Sequence, residues 1–147
     1  MNQEIIDILL IEDNPSDVEL ILRALKRNSV ISNIHIVSDG AEAVDYFSGT
    51  GKYTDRNIKA FPKLVLLDLK LPKVDGLEIL RIIKSDLRTM LIPVVILTSS
   101  KEECDIKLGY KLGANSFVVK PMDFDKFVST IQALSRYWIL INEPLTQ

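Results

Sequence analysis

The sequence predicts an α/β protein built on a doubly wound, five-stranded parallel sheet. Short apolar runs alternate with amphipathic segments of helical spacing five times within the 147 residues. Most of the apolar runs are continuous, which is typical of strands that helices cover on both faces. Right-handed crossovers between such strands commonly give the order 2-1-3-4-5, and we expect that order here, although periodicity alone does not prove it.

Five apolar runs supply the predicted strands. The second run alternates more than the others, so it suits an edge of the sheet. The predicted strands are Ile5–Ile11, Ile34–Val37, Leu64–Leu67, Pro93–Leu97 and Ser116–Val119.

The first predicted helix has a clear start. Asn14 is a suitable cap, Pro15 suits the first helical position, and Asp17 places negative charge in the first turn. One apolar stripe then follows at helical spacing and comprises Val18, Ile21, Leu22 and Leu25.

Four further helices are expected after the later strands. The second is short, near Ala41–Phe47, and the fourth begins with a capping box of Ser100 and Glu103 and ends at Gly113. The fifth begins at Asp123. The third helix is expected to bury Leu77, Leu80, Ile83 and Leu87, and the fifth to bury Phe124, Phe127, Val128 and Ile131.

Composition indicates a single globular domain over residues 1–147, with a core of about 5–141, an enlarged loop at 49–62 and a short tail at 142–147. The apolar runs are far shorter than the roughly 20 residues of a membrane span, so we expect a cytoplasmic protein. The net charge of −2 offers no basic surface for nucleic acid. The single cysteine, Cys104, excludes an internal disulfide and is expected to pack in a helix.

Polar residues follow the strands on one rim of the predicted sheet. Glu12 and Asp13 come directly after the first strand, and Asp68 comes after the third. Thr98 and Lys120 end the fourth and fifth strands. Ligands of doubly wound sheets bind beyond the carboxyl ends of the strands where the winding reverses, which here is between the first and third strands.

Three carboxylates at one edge would repel one another unless they shared a cation. Few protein oxygens and room for water favour Mg²⁺ over Ca²⁺. A carboxylate nucleophile, a metal ion, an amine and a hydroxyl together suit phosphoryl transfer to an aspartate. The single histidine, His35, lies in the second strand away from this rim, so the phosphoryl donor is expected to be another molecule.

Four segments in the right order resemble the receiver domains of two-component response regulators, which have a flavodoxin-like (βα)5 fold. They are LLIEDN, LLDLKLPKVDGLEIL, VVILTSS and LGANSFVVKPMD. The resemblance covers nearly the whole chain. It implies a phosphorylation-activated signalling switch, and not a conventional enzyme, that catalyses only its own phosphotransfer and dephosphorylation.

The resemblance also implies a role for each matching residue. Asp68 would accept the phosphoryl group from a phosphohistidine on a sensor kinase or a phosphotransfer protein. Glu12, Asp13, Asp68 and the backbone carbonyl of Lys70 would bind Mg²⁺. Lys120 would pair with a phosphoryl oxygen.

Further residues match the family's switch and its timing positions. Thr98 and Phe117 would change position after phosphorylation, and Lys70 and Ser100 would tune dephosphorylation. Lys120 and Pro121 match a peptide bond that the family usually holds in cis. Glu12 stands where many family members have an aspartate, but its carboxylate should still bind a metal ion.

Two segments that have no role in the predicted site could contact partner proteins. Enlarged loops occur in stand-alone receivers that resemble those paired with phytochrome-type kinases, so loop 49–62 is either solvated or a partner contact. Tyr137–Ile141 either packs on the sheet or contributes to a homodimer interface, together with the face made by the fourth helix, fifth strand and fifth helix. With no output domain attached, relay, partner binding or dimerisation would carry the signal.

Three other classes of protein could use this fold. A hydrolase of the haloacid dehalogenase type needs a second acid two residues after its nucleophile, where this chain has Lys70. A flavin-binding module needs a phosphate-binding first loop, and the acids of EDNPSD would repel a phosphate. A receiver that no longer takes a phosphoryl group would not need all five rim residues.

Overall fold

The computed structural model describes residues 6–27, 33–57 and 60–145, which form a parallel sheet with helices on both faces. The strand order is 2-1-3-4-5, as predicted. The strands are β1 (Ile8–Ile11), β2 (Ile34–Val37), β3 (Leu64–Leu67), β4 (Val94–Thr98) and β5 (Ser116–Val119). The helices are α1 (Pro15–Lys26), α2 (Gly40–Ser48), α3 (Gly76–Ser85), α4 (Glu103–Lys111) and α5 (Phe124–Ser135).

Alternate residues of each strand are buried on opposite sides of the sheet, because successive side chains of a strand point to opposite faces. One apolar layer, here called the α3 layer, packs below α2 and α3 and includes Leu9, Ile11, Val65, Leu67, Val94 and Ile96. The other, the α5 layer, packs below α1 and α5 and includes Ile8, Leu10, Leu64, Leu66, Val95 and Leu97. Both faces of the central strands are therefore buried, as their continuous apolar sequences predict.

Two strand limits differ from the prediction. β1 begins at Ile8, and Ile5 lies outside the described residues. β4 begins at Val94 and continues to Thr98. Pro93 has no N–H to donate to a neighbouring strand, whereas the Val94 N–H donates to Asn115 Oδ1 at 2.9 Å.

The start of α1 is confirmed, but the predicted start of α4 is wrong. The Asn14 side chain accepts hydrogen bonds from two backbone N–H groups at the start of α1. At α4 the capping position belongs to Glu102, and no side-chain cap is made there. The Ser100 hydroxyl donates instead to Asp105 Oδ2 at 2.6 Å, so Ser100 and Glu103 form no capping box.

Three residues predicted to pack are exposed. Leu87 is 88% exposed because α3 ends at Ser85, before the apolar stripe reaches it. Phe124 is 52% exposed at the first position of α5. Cys104 lies on the exposed face of α4. Helical spacing identifies a stripe but does not show where the helix carrying it stops.

The end of the last helix is not a continuous α-helix. Residues Arg136–Ile141 form a π-helical turn after α5. Tyr137, Leu140 and Ile141 in this turn are exposed, whereas Trp138 and Ile139 pack against the α5 layer. In the described parts of the chain, no helix is long and apolar enough to cross a membrane.

The described part of the enlarged loop packs against α2. The Arg56 guanidinium lies 4.0 Å from the centre of the Tyr46 ring, and its Nε donates to the Tyr46 carbonyl at 2.8 Å. The Tyr53 hydroxyl donates to Glu42 Oε2 and contacts His35 Nε2, each at 2.7 Å. Two of its side chains are therefore structural anchors, so this segment is more than a solvated loop.

Candidate functional site

The acids after β1 and β3 meet at the carboxyl edge of the sheet. Ile11 pairs with Leu67 in the parallel register, so the residues that follow leave the sheet at the same level. The Asp68 N–H donates to the Ile11 carbonyl at 3.0 Å, which extends this pairing. Oxygens of Glu12, Asp13 and Asp68 all lie within 4.8 Å of one another. The structure thus brings together the three acids that the sequence placed at one rim.

Lys120 reaches the same cluster from the far edge strand, β5. Its Nζ lies 2.5 Å from Glu12 Oε1, 2.8 Å from Asp17 Oδ2 and 3.1 Å from Asp68 Oδ2. Its N–H donates to the Thr98 carbonyl at 2.7 Å and fixes the backbone beside β4. An ammonium group has three N–H donors, and each has one carboxylate acceptor here.

Glu12 is held by its own loop as well as by Lys120. Its Oε2 accepts hydrogen bonds from the N–H groups of Asp13 and Asn14, at 3.1 and 3.3 Å. The residue is 2% exposed. Its orientation is therefore set by the turn between β1 and α1.

Burial and charge shift the pKa values of this pair. Burial, followed by the neighbouring Asp68 carboxyl group, raises the pKa of Glu12 to about 7, although Lys120 acts in the opposite direction. Burial alone would lower the pKa of Lys120, but hydrogen bonds to Asp17 and Glu12 and attraction to Asp68 raise it above its ordinary value. Lys120 is therefore a permanent cation at neutral pH.

The three clustered acids fit a divalent cation. They offer carboxylate oxygens, the donors that hard cations such as Mg²⁺ prefer. Asp13 is exposed while Glu12 and Asp68 are buried, so water can reach one side of the cluster. The neighbouring Asp68 carboxyl group, after burial, contributes to the raised pKa of Glu12, and a cation bound here would oppose that repulsion.

Thr98 lies on the rim but is not joined to the acids. It is fully buried, and its hydroxyl accepts a hydrogen bond from the Ser100 N–H at 3.4 Å. Among the described residues, no side-chain hydrogen bond links Thr98 to Asp68 or Lys120. Ser100 is itself buried and donates to Asp105.

The remaining predicted site residues surround this centre. The Lys70 N–H donates to Asp68 Oδ1 at 3.4 Å, so the backbone after the strand turns back to the acid. Phe117 is partly buried beside the α3 layer. A Cβ added to Gly109 would lie 3.2 Å from its ring, so the ring packs under α4. The Lys120–Pro121 bond is trans, so the cis bond that the resemblance implied is not found.

Of the described residues that contact Lys120 through a side chain, Asp17 is the one whose role sequence reasoning missed. The sequence suggested only that it favours the start of α1, and the structure places its carboxylate on Lys120. The first turn of the helix that follows Glu12 and Asp13 places this acid near the same rim, but that position alone does not show a contact with Lys120. His35, in contrast, contacts Tyr53 and Tyr46, as expected for a residue outside this site.

A family model described as the response regulator receiver domain matches residues 8–132. The chain belongs to this family. The expected resemblance is thereby confirmed, and the hydrolase and flavin-binding alternatives are not supported.

Two relatives show how closely this receiver matches known ones. It is 39% identical over 132 residues to the "probable methanogenesis regulatory protein FilR2" of Methanothrix harundinacea, covering 90% of this chain and 83% of that one. It is 34% identical to the response regulator Rcp1 of a Synechocystis species, covering 90% and 88% of the two chains.

The solved structures agree with this receiver fold. The Mn²⁺-bound form of Rcp1 has a TM-score of 0.89 at 32% identity, covering 95% of this chain and 98% of that one. The phosphorylated cyanobacterial phytochrome response regulator RcpA has a TM-score of 0.88 at 36% identity, covering 95% and 97%. Metal binding in the Rcp1 structure supports a divalent cation for receivers of this kind.

Proposed function

We propose that this receiver is a signalling switch that accepts a phosphoryl group on Asp68 from a phosphohistidine of a sensor kinase or phosphotransfer protein. The observation that carries the proposal is the contact between Lys120 Nζ and Asp68 Oδ2, beside the three-carboxylate cluster. A buried nucleophilic carboxylate, a fixed cation and oxygen ligands for a metal are what phosphoryl transfer to an acid needs.

The transfer exchanges one bond to phosphorus for another. An Asp68 oxygen attacks phosphorus, the P–O bond forms, the P–N bond to the donor imidazole breaks, and the imidazole leaves with the bonding electron pair. Lys120 donates to a phosphoryl oxygen and offsets part of its charge. The protein would catalyse only the phosphorylation of its own Asp68 and the later hydrolysis of that phosphoryl group to phosphate.

The cation in this proposal is Mg²⁺, held by Glu12, Asp13, Asp68 and the Lys70 backbone carbonyl. When bound, it would neutralise carboxylate charge and polarise the phosphoryl oxygens. Glu12 is already oriented for this task by two backbone N–H groups. Its longer side chain, where many receivers have aspartate, does not prevent it from reaching the cluster.

The conformational switch is proposed for Thr98 and Phe117. Within the described part of the chain, the Thr98 hydroxyl has only a long hydrogen bond, from the Ser100 N–H, so turning toward a phosphoryl oxygen would cost little. Phe117 packs beside Gly109 of α4, where its movement would change the outer surface of α4. Lys70 is exposed beside the acid and Ser100 is buried, and these positions are proposed to tune the rate of dephosphorylation.

The proposed partner is a histidine kinase of the phytochrome type, in a pathway within the cytoplasm. The similar protein RcpA supports this partner, because it is a cyanobacterial phytochrome response regulator. A homodimer through α4, β5, α5 and the terminal turn is the proposed assembly. It is supported by the exposed apolar residues Leu108, Tyr110, Tyr137, Leu140 and Ile141. Residues 1–147 are proposed to act as one receiver unit.

Phosphorylation by a small donor tests the function directly. The protein is incubated with Mg²⁺ and phosphoramidate, and its intact mass is measured. One phosphoryl group should appear on the wild type and on Asp125→Asn, a control at an exposed acid of α5, but not on Asp68→Asn. Equal labelling of Asp68→Asn would show that another residue is the acceptor, and no labelling of the wild type would favour a receiver that acts only as a scaffold.

A further inference from the structure

Lys120 is held by three carboxylates, and they are not equivalent. Glu12 and Asp68 belong to the cluster whose oxygens all lie within 4.8 Å of one another. Asp17 lies outside that cluster, although its Oδ2 is 2.8 Å from Lys120 Nζ. In the proposed function, Glu12 and Asp68 would also bind the metal ion, and Asp68 would accept the phosphoryl group. Asp17 has neither task.

The other two acceptors change during the proposed reaction. The Asp68 oxygen that attacks phosphorus becomes the bridging oxygen of an acyl phosphate and loses its full negative charge. A Glu12 oxygen that binds a cation has less electron density for a lysine N–H. The ammonium group would lose much of its support at the step where it has to face the phosphoryl group, unless the third carboxylate remained in place.

Asp17 is fixed by a rigid element. It is the third residue of α1, and its N–H donates to the Asn14 cap at 3.2 Å. Ile21 and Leu25 of the same helix are fully buried in the α5 layer. The position of the Asp17 carboxylate is therefore set by the packing of α1 and by the Asn14 cap.

We infer that Asp17 is a positioning residue, which holds the Lys120 ammonium group toward the phosphoryl position while Glu12 and Asp68 are engaged. This inference rests on the proposed function, because it assigns Lys120 to the phosphoryl group. Asp17 contacts neither the acceptor nor the donor, and its effect on transfer runs through Lys120. Its side chain is about one-quarter exposed, so it is not needed to fill the core.

The test compares Asp17→Asn with Asp17→Glu, Asp17→Ser and Glu19→Gln. Glu19 is a matched control because it is an acid on the same helix that pairs with Arg23 and does not contact Lys120. Phosphoramidate labelling is followed over time in Mg²⁺ at several donor concentrations. Loss of one charge-assisted hydrogen bond should lower the maximal rate of Asp17→Asn and Asp17→Ser about 10-fold, with little change in the half-saturating donor concentration.

A second readout uses the metal-free protein and does not depend on labelling. The ¹⁵Nζ signal of Lys120, assigned with Lys120→Met, is recorded by NMR, and its ammonium protons should exchange with water faster in Asp17→Asn than in the wild type. Asp17→Glu should restore part of the rate and the protection, and Glu19→Gln should match the wild type in both. Thermal unfolding of each variant identifies a general loss of structure.

The outcomes separate the inference from the proposed function. If the wild type is labelled on Asp68 and both Asp17→Asn and Asp17→Ser keep its rate and its Lys120 signal, the inference is wrong and the function stands. If Glu19→Gln slows labelling as much as Asp17→Asn, general charge explains the effect and the inference is again wrong. If the wild type takes no phosphoryl group, the proposed function is lost and the inference is lost with it.

Discussion

Lys120 Nζ lies 3.1 Å from Asp68 Oδ2, although the two residues are 52 positions apart in the sequence. The lysine follows the edge strand β5, while the acid follows the central strand β3. Both side chains are about one-tenth exposed, so water screens their attraction only weakly. The charge balance of the acid cluster therefore depends on a residue from the edge of the sheet.

Replacing Lys120 should impair both chemistry and stability. In Lys120→Met the acid cluster loses its cation, so labelling by phosphoramidate should fall at least about 100-fold because an oxygen-stabilising donor is gone. In EDTA at pH 8, the free energy of unfolding should fall by about 2–4 kcal/mol because buried like charges are left uncompensated. Urea unfolding and intact mass measure these effects. Lys126→Met, at an exposed lysine of α5, should change neither.

The raised pKa of Glu12 gives the metal-free protein a defined pH dependence. Between its ordinary value of 4.5 and about 7, the folded protein retains a proton on Glu12 that the unfolded chain has lost. Unfolding free energy in EDTA should therefore decrease as pH rises through this range, relative to Glu12→Gln measured in parallel. Adding Mg²⁺ at pH 8 should restore stability to the wild type more than to the variant. Parallel pH curves for the two proteins would contradict this assignment.

His35, in the edge strand β2, should give a pH dependence of stability with the opposite sign. Burial lowers its pKa below the ordinary 6.5, with Lys52 and Arg56 adding to the effect and Glu42 opposing it. The unfolded chain then binds a proton more readily, so unfolding free energy should fall as pH drops below 6.5. His35→Gln should flatten this fall in urea unfolding at pH 7.5 and 5.0. Because the chain has one histidine, no other imidazole contributes.

Gly40 tests the packing of the loop that follows Asp68. A Cβ at position 40 would lie 1.9 Å from the Val74 carbonyl oxygen, and the Gly40 N–H donates to the Pro72 carbonyl at 3.1 Å. Gly40→Ala should force α2 away from this loop and lower unfolding free energy by about 1–3 kcal/mol. It should also slow labelling of Asp68. Ser48→Ala, at an exposed position of α2, should behave like the wild type.

The fold was predictable because the strands are short, continuous and bounded by strong signals. The limits of β2, β3 and β5 and the strand order agree with the sequence prediction. The errors at Leu87 and Ser100 share one cause. Where a helix begins or ends depends on competing hydrogen bonds, such as Ser100 to Asp105, and a sequence pattern does not show which of them forms.

The juxtaposition of the rim residues was also predictable, since parallel strands place their carboxyl ends at one edge. Asp17 was not, because its role depends on the direction of a lysine side chain from a distant strand. The anchoring of the enlarged loop by Tyr53 and Arg56 was missed for a similar reason. Contacts between long side chains depend on tertiary distances that local periodicity does not contain.

Phe117 and the helix that carries Asp17 lie on opposite faces of the sheet. Phe117 packs on the α3 layer, whereas α1, which carries Asp17, packs on the α5 layer on the opposite side. In the proposed switch, a rearrangement of α4 around Phe117 would change one flank of the molecule, while α1 on the opposite flank would keep Asp17 beside Lys120. Because the β-sheet lies between these two layers, the surface that would signal to a partner is separate from the helix that would support the phosphoryl site.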